Sequence, residues 1–406
     1  MKSLFKIAFP LILFLSLSSA RQMTDAQLHE KANRLAHEYI ITDGHVDLPY
    51  RLHDHWEDIS QRTEQGDFDY VRAKAGGLDA PFMAIYIPVD LEKNGAKSLA
   101  DSLIDLVESL ETRWPDKFAV ATSPDQVRAQ FAKGLISLPM GMENGAPLEG
   151  KIENVKYFYD RGIRYITLAH AKDNHIGDSS YDTTHTWKGL SPFGKKVVAE
   201  MNRVGIMVDC SHITDDAIKQ VLQISKAPVI ASHSSCRFFT PGFERNISDE
   251  LMKGVAATGG VINIAFGSGF LSGEYQKKEN EARGEIMAYF KKNGLKFSDV
   301  KGQEYIKEYQ KTHELKNVDI SVVADHIDHA VKVVGVDHVG FGSDFEGVGP
   351  TTPVGLEDAS KYPNLVYELL KRGYSDSDIR KLCGENMLRV WGKVEDVARQ
   401  MQSGKM

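Results

Sequence analysis

A chain of 406 residues with 42% hydrophobic, 26% charged and 9% aromatic residues has the composition of an ordinary globular enzyme, which excludes a disordered or fibrous protein. The formal charge of −7, with no basic cluster able to track phosphates, argues against nucleic acid as a partner. Cys210, Cys236 and Cys383 are odd in number and unrelated in spacing, so they outline neither a disulfide framework nor a zinc ribbon.

Residues 1–20 read as a signal peptide: Lys2 and Lys6 form a basic start, 7–17 is apolar, and Ser18-Ser19-Ala20 offers small residues for cleavage. The apolar run, broken by Pro10, is shorter than the roughly 20 residues a membrane span needs. The polar segment 397–406 lacks the hydrophobic tail of a glycolipid anchor. The chain is thus expected to be exported, periplasmic or secreted, without a stable membrane anchor, and 21–406 to form a single domain. Apolar, β-branched runs follow at 39–42, 82–88, 135–142, 165–168, 206–209, 229–231, 261–265 and 339–342. Between them lie helical patterns, such as Val197, Met201 and Val204 within 195–204, and Val323, Ile327, Ala330 and Val334 within 321–334. Eight strands alternating with helices predict a (β/α)8 TIM barrel, an α/β fold whose chemistry sits at the C-terminal strand ends. Loop insertions are expected at 52–80, 173–189 and 267–316, with the charged run 277–281 as a solvated helix face. Helices at 362–372, 376–382 and 386–400 complete the fold.

His45 and Asp47 stand two apart where the first strand ends, so period-two alternation points both to one side. Taken alone, such a pair is ordinarily structural. His212 and His233 close the fifth and sixth strands in the same way, and imidazoles converging from three strand ends suit zinc in a hydrolytic site. Glu143 ends the third strand between glycines, and a carboxylate there can bridge two metal ions. Other candidates are weaker. His53, Asp54 and His55 lie past the strand end in a polar insertion, and His326 and His329 flank an apolar helix stripe. His338 precedes the eighth strand at the bottom of the barrel, and Cys210 ends an apolar strand as a buried thiol. Asn246 heads a glycosylation sequon, but a sugar beside Arg245 would be awkward.

The segments 43–49 (DGHVDLP), 141–145, 164–170 (RYITLAH), 189–194 (GLSPFG), 227–235 (APVIASHSS), 245–249 (RNISD), 337–347 (DHVGFGSDFEG) and 384–390 (GENMLRV) run in order through nearly the whole mature chain. Together they resemble the membrane (renal) dipeptidases, zinc peptidases of the metal-dependent hydrolase barrels. The resemblance implies a dipeptidase with two zinc ions per chain. His45 and Asp47 match the ligands of one zinc, His212 and His233 those of the other, and Glu143 the bridge. His170 matches a histidine that contacts the scissile carbonyl or its oxyanion, Arg245 the arginine that holds the terminal carboxylate, and Asp344 the acid/base carboxylate. The implied mechanism is attack by a bridging hydroxide, and the implied partner is a dipeptide, with a D-residue at the C-terminal position left open and a homodimer compatible with the reading. The chain departs from the family in its cysteines, in the loop 171–178, and in Phe266, which stands where an aromatic hydroxyl is expected. A binuclear amidohydrolase acting on N-acyl amino acids, lactones or phosphotriesters is the alternative enzyme class. It ranks lower because Asp47 replaces the second histidine of that class. A barrel kept as a non-catalytic binding module would be expected to have lost ligands, and none of the matched positions is lost here.

Overall fold

The barrel strands are short and almost wholly buried: β1 (Ile41–Val46), β2 (Leu78–Tyr86), β3 (Met140–Glu143), β4 (Ile163–Thr167), β5 (Met207–Asp209), β6 (Ile230–Ala231), β7 (Val261–Ile264) and β8 (Val339–Phe341). A parallel strand covered on both faces must be apolar on both, which is why these segments read as continuous runs. In this computed structural model, which describes residues 23–296 and 299–405, they pair in parallel in chain order. A parallel bridge between Val46 and Phe345 joins the two edges. The expected (β/α)8 barrel is therefore the fold. The signal-peptide expectation lies outside the described residues, and no described helix is long and apolar enough to cross a membrane.

Alternation sorts each strand's side chains into two cores. Ala80, Phe82, Tyr165, Met207, Ile230 and Val261 fill the barrel interior together with Trp391. Ile166, Val208 and Ile262 face outward onto helix residues such as Val197, Met201, Val323 and Ile327. Each fully buried apolar side chain of this size contributes roughly 1.5–3 kcal/mol. The helix Asn386–Gln402 plugs the bottom, its Trp391 ring 5.4 Å from Phe82, so the open end of the barrel is the end where the strands finish. Local signals set the helix limits. In Pro192–Val204, Ser191 caps the start, Pro192 supplies a preset φ, and Gly205 ends it at φ 98°.

Three expectations change. The run 135–142 divides at Pro139, which has no N–H to continue a ladder. Ile136–Leu138 pairs with Phe118–Val120 in a separate two-stranded ladder, and only Met140–Glu143 enters the barrel. The insertion after β7 carries the helices Ser268–Leu271, Gly273–Asn293 and Val300–Thr312. Within the charged run 277–281 of this insertion, Glu279 and Asn280 line the central cavity, so that helix face is not wholly solvated. The insertion 52–80 ends inside β2 and carries the helix Tyr70–Gly76. The segment 173–189 forms neither helix nor strand. It is pinned by carboxylates: Asp173 accepts from Ser179 N at 2.9 Å, and Asp178 from Trp187 N at 2.9 Å and Gly189 N at 2.8 Å.

Candidate active site

Seven strand ends or the turns just past them deliver side chains to one cavity of about 920 Å³, lined among others by Asp47, Tyr86, Glu143, His170, Tyr181, His212 and Asp344. The backbone is bent to do this. Asn144, His212, Asp344 and Glu346 all hold left-handed φ of 63–79°, a conformation that costs non-glycine residues on the order of 1 kcal/mol or more each. Gly347 lets two carboxylates close in, since a Cβ there would lie 2.3 Å from Asp47 Oδ2 and 2.5 Å from Asp344 Oδ1.

Glu143 is the centre. Its Oε2 lies 3.4 Å from His45 Nε2, which in turn lies 3.5 Å from Asp47 Oδ2. Its Oε1 lies 3.1 Å from His212 Nε2, 3.4 Å from His233 Nε2 and 3.5 Å from His170 Nε2. The two oxygens thus face two different sets of donors. Three groups can hold a metal ion, each with donor atoms within 4.8 Å of one another: His45, Glu143 and His233; Glu143, His170 and His212; and His45, Asp47 and Asp344. His212 Nε2 and His233 Nε2 stand 2.9 Å apart, and buried His45 Nε2 has no hydrogen-bond partner. Imidazole nitrogens gathered this closely around one carboxylate fit a cation.

Burial would raise the Glu143 carboxyl, yet the His45 and His170 imidazoles hold it well below the usual range. Burial and then the nearby Asp47 carboxylate push Asp344 well above it. Burial together with the Arg245 guanidinium depresses His212, and burial depresses His170 and His233. Arg245 itself is buried, donating from Nη1 to Ser234 Oγ at 2.9 Å and from Nη2 to His212 Nε2 at 3.0 Å, with its guanidinium 5.2 Å from the Phe270 ring centre.

All eight site residues expected from the sequence converge here. The weaker candidates separate from them. Asp54 and His55 line the cavity wall, but neither they nor His53 join a metal group among the described residues. His326 is buried, its Nδ1 accepting from Cys236 N at 3.0 Å. His329 pairs with Asp249, and His338 bonds the Gly260 carbonyl. Asn246 is buried and donates to Thr240 and Phe270, which leaves no room for a sugar, and all three thiols are free and buried.

Several residues that shape the site were not singled out in the sequence. Tyr165 meets His45 Nδ1 at 2.7 Å across the barrel interior. Asp43 accepts from His45 N at 3.0 Å and Ser343 N at 2.8 Å, and Asp209 accepts from Ser211 N at 3.1 Å and Ser232 N at 2.8 Å. Each carboxylate clamps its own strand to the neighbouring strand one residue before that neighbour's site residue. The signal for them was present, since Asp43 precedes His45 by two and Asp209 precedes His212 by three. Tyr86, Tyr181, Glu279 and Arg283 line the outer walls.

The model of the membrane dipeptidases, peptidase family M19, matches residues 29–405. An uncharacterized dipeptidase of Schizosaccharomyces pombe is 31% identical, with 91% of this chain and 85% of that protein covered. The crystal structure of the probable dipeptidase PvdM from Pseudomonas aeruginosa superposes with a TM-score of 0.79 at 27% identity, covering 92% of this chain and all of that one. A Rhodobacter sphaeroides metallopeptidase, liganded with a phosphinate mimic of the dipeptide L-Ala-D-Ala, shares the fold with a TM-score of 0.72 at 24% identity, covering 88% of this chain and 99% of that one. A family match that spans residues 29–405, and with them every strand of the barrel, leaves one assignment: the chain belongs to the membrane dipeptidases of peptidase family M19 and is a metallopeptidase acting on dipeptides.

Proposed function

We propose that the chain hydrolyses dipeptides with two zinc ions, one held by His45 and Asp47, the other by His212 and His233, and both by Glu143. The carrying observation is the division of the Glu143 carboxylate, Oε2 toward His45 and Oε1 toward His212 and His233. Mixed imidazole and carboxylate donors suit zinc. When bound, such a pair lowers the pKa of a shared water and polarises the scissile carbonyl.

The protein's own groups then orient the substrate. Arg245, stiffened by Ser234 and Phe270, presents its planar fork to the free carboxylate of the C-terminal residue. That contact sets the distance from the chain end to the scissile bond, so a longer peptide places its carboxylate elsewhere. His170, 3.5 Å from Glu143 Oε1 and packed edge-on against Tyr86, donates to the carbonyl oxygen as negative charge develops on it. Asp344, beside His45 and Asp47 on the cavity wall, carries a proton to the departing amine. D-residues at the C-terminal position belong to the proposed substrates, by likeness to the metallopeptidase liganded with the L-Ala-D-Ala mimic.

The test is a panel of L,L and L,D dipeptides and matching tripeptides, assayed with zinc-reconstituted protein whose metal content is measured. Two zinc ions per chain and cleavage confined to dipeptides are expected. Equal cleavage of tripeptides would remove the role given to Arg245, and a single tightly held ion would remove the role given to Glu143.

A further inference from the structure

We propose that Asp209 is a positioning residue which, through the hydroxyl of Ser232, fixes the ring tautomer of His233. This rests on the reading of His233 as a metal ligand, because only a ring nitrogen without a proton can ligate.

Asp209 ends β5, fully buried, and four groups point at its carboxylate. Ser211 N and Ser232 N reach Oδ1 at 3.1 and 2.8 Å, and Thr167 Oγ1 and Ser232 Oγ reach Oδ2 at 2.5 and 2.6 Å. A serine hydroxyl has one proton, and at this separation Ser232 gives it to Asp209. Turned elsewhere, the hydroxyl would set oxygen lone pairs against each other in a fully buried site. Toward His233 Nδ1, 2.7 Å away, Ser232 Oγ is therefore an acceptor. Nδ1 carries the ring proton, and Nε2, the atom facing Glu143 and His212, keeps its lone pair. The other hydroxyl nearby, Ser211 Oγ at 3.4 Å, does not compete, since it can donate into the same Ser232 oxygen.

An internal control stands across the barrel. Asp43 makes the same backbone clamp, with His45 N and Ser343 N, but its second oxygen receives the Tyr362 hydroxyl and no serine links it to a histidine ring. The clamp recurs on both sides; the relay belongs to Asp209.

Asp209→Asn is nearly isosteric and keeps both backbone bonds on its remaining oxygen. Its new amide donates toward Ser232, which frees the serine proton for Nδ1 and drives the ring to the Nε2–H form. In the metal-free full chain labelled with 15N at histidine, with His233 assigned by loss of its signals in His233→Gln, the wild type is expected to show Nδ1–H and Asp209→Asn to show Nε2–H. Zinc affinity by chelator competition should weaken about 10–100-fold for one of two equivalents in Asp209→Asn and Ser232→Ala. Ser232→Thr, which keeps the hydroxyl, should restore it. Nε2–H in the wild type, an unchanged tautomer in Asp209→Asn, or the same tautomer change in Asp43→Asn would overturn the proposal. A wild-type chain that shows the expected tautomers but binds no zinc would leave the relay standing and remove the ligand reading instead.

Discussion

Arg245, bonded to His212, and Asp344, on the cavity wall, have different tasks in the proposed reaction, and their substitutions should separate in kinetics. Arg245 is held from behind by Ser234 and Phe270, which fixes the place of its charge. Arg245→Met should lower kcat/KM for dipeptides by about 100-fold or more, the order of a lost charge-assisted pair at about 3 kcal/mol, and chiefly through KM. The preference for dipeptides over tripeptides should flatten in the same variant. Asp344→Asn should instead lower kcat by roughly 10²–10⁴-fold with KM little changed, because it removes a proton carrier rather than a grip. Steady-state kinetics beside metal analysis distinguishes the two. Arg245 and Asp344 were legible only through their match to the family, since an arginine or aspartate in a loop carries no periodicity. His45, His212 and His233 were legible from spacing, because each closes an apolar run, whereas His170 entered with the family match. Tyr165 was missed: its aromatic ring reads as ordinary core, and its hydroxyl reaches His45 only because the barrel curls.

At the level of elements, the order of strands was legible because strands buried on both faces stand out as apolar runs. Their ends were blurred by the same property, since nothing polar marks the limits. The short ladder of Phe118–Val120 and Ile136–Leu138 lies outside the barrel. The apolar run beside Pro139 gave no sign of being shared between two sheets. One polar residue inside a strand has a cost that can be measured. Asp79, the second residue of β2, is buried, bonded among the described residues by Ile41 N at 3.2 Å, and burial raises its carboxyl to about 7. Its unfolded value is near 3.8, so between about pH 4 and 7 the folded state binds more protons than the unfolded. Stability attributable to Asp79 is full below that window and lost as pH rises through it. Asp79→Asn should therefore raise stability at pH 8 by roughly 1–3 kcal/mol and change it little at pH 4. Denaturant melts of both proteins at the two pH values check this.

For the molecule as a whole, the cavity sits where loops from many strands meet, so its donors also tie together segments far apart in the chain. His45, Glu143, His212 and His233 span nearly 190 residues of sequence. An ion bound only by the folded form stabilises it by about 4 kcal/mol at a thousandfold excess over Kd. Chelation should lower Tm by several degrees, and added zinc should restore it, as followed by calorimetry. An unchanged Tm would mean that the donors are held in place by the barrel alone.

The ring of Tyr165 occupies the space that a side chain at position 141 would need: a Cβ on Gly141 would lie 1.9 Å from it. That ring also reaches His45 through its hydroxyl. A methyl group added on β3, touching neither substrate nor metal, would shift the ring and with it a histidine on β1. In a genetic screen Gly141→Ala should thus score with the loss of catalytic residues. The constraint on position 141 thus comes from packing inside the barrel rather than from the chemistry at its mouth.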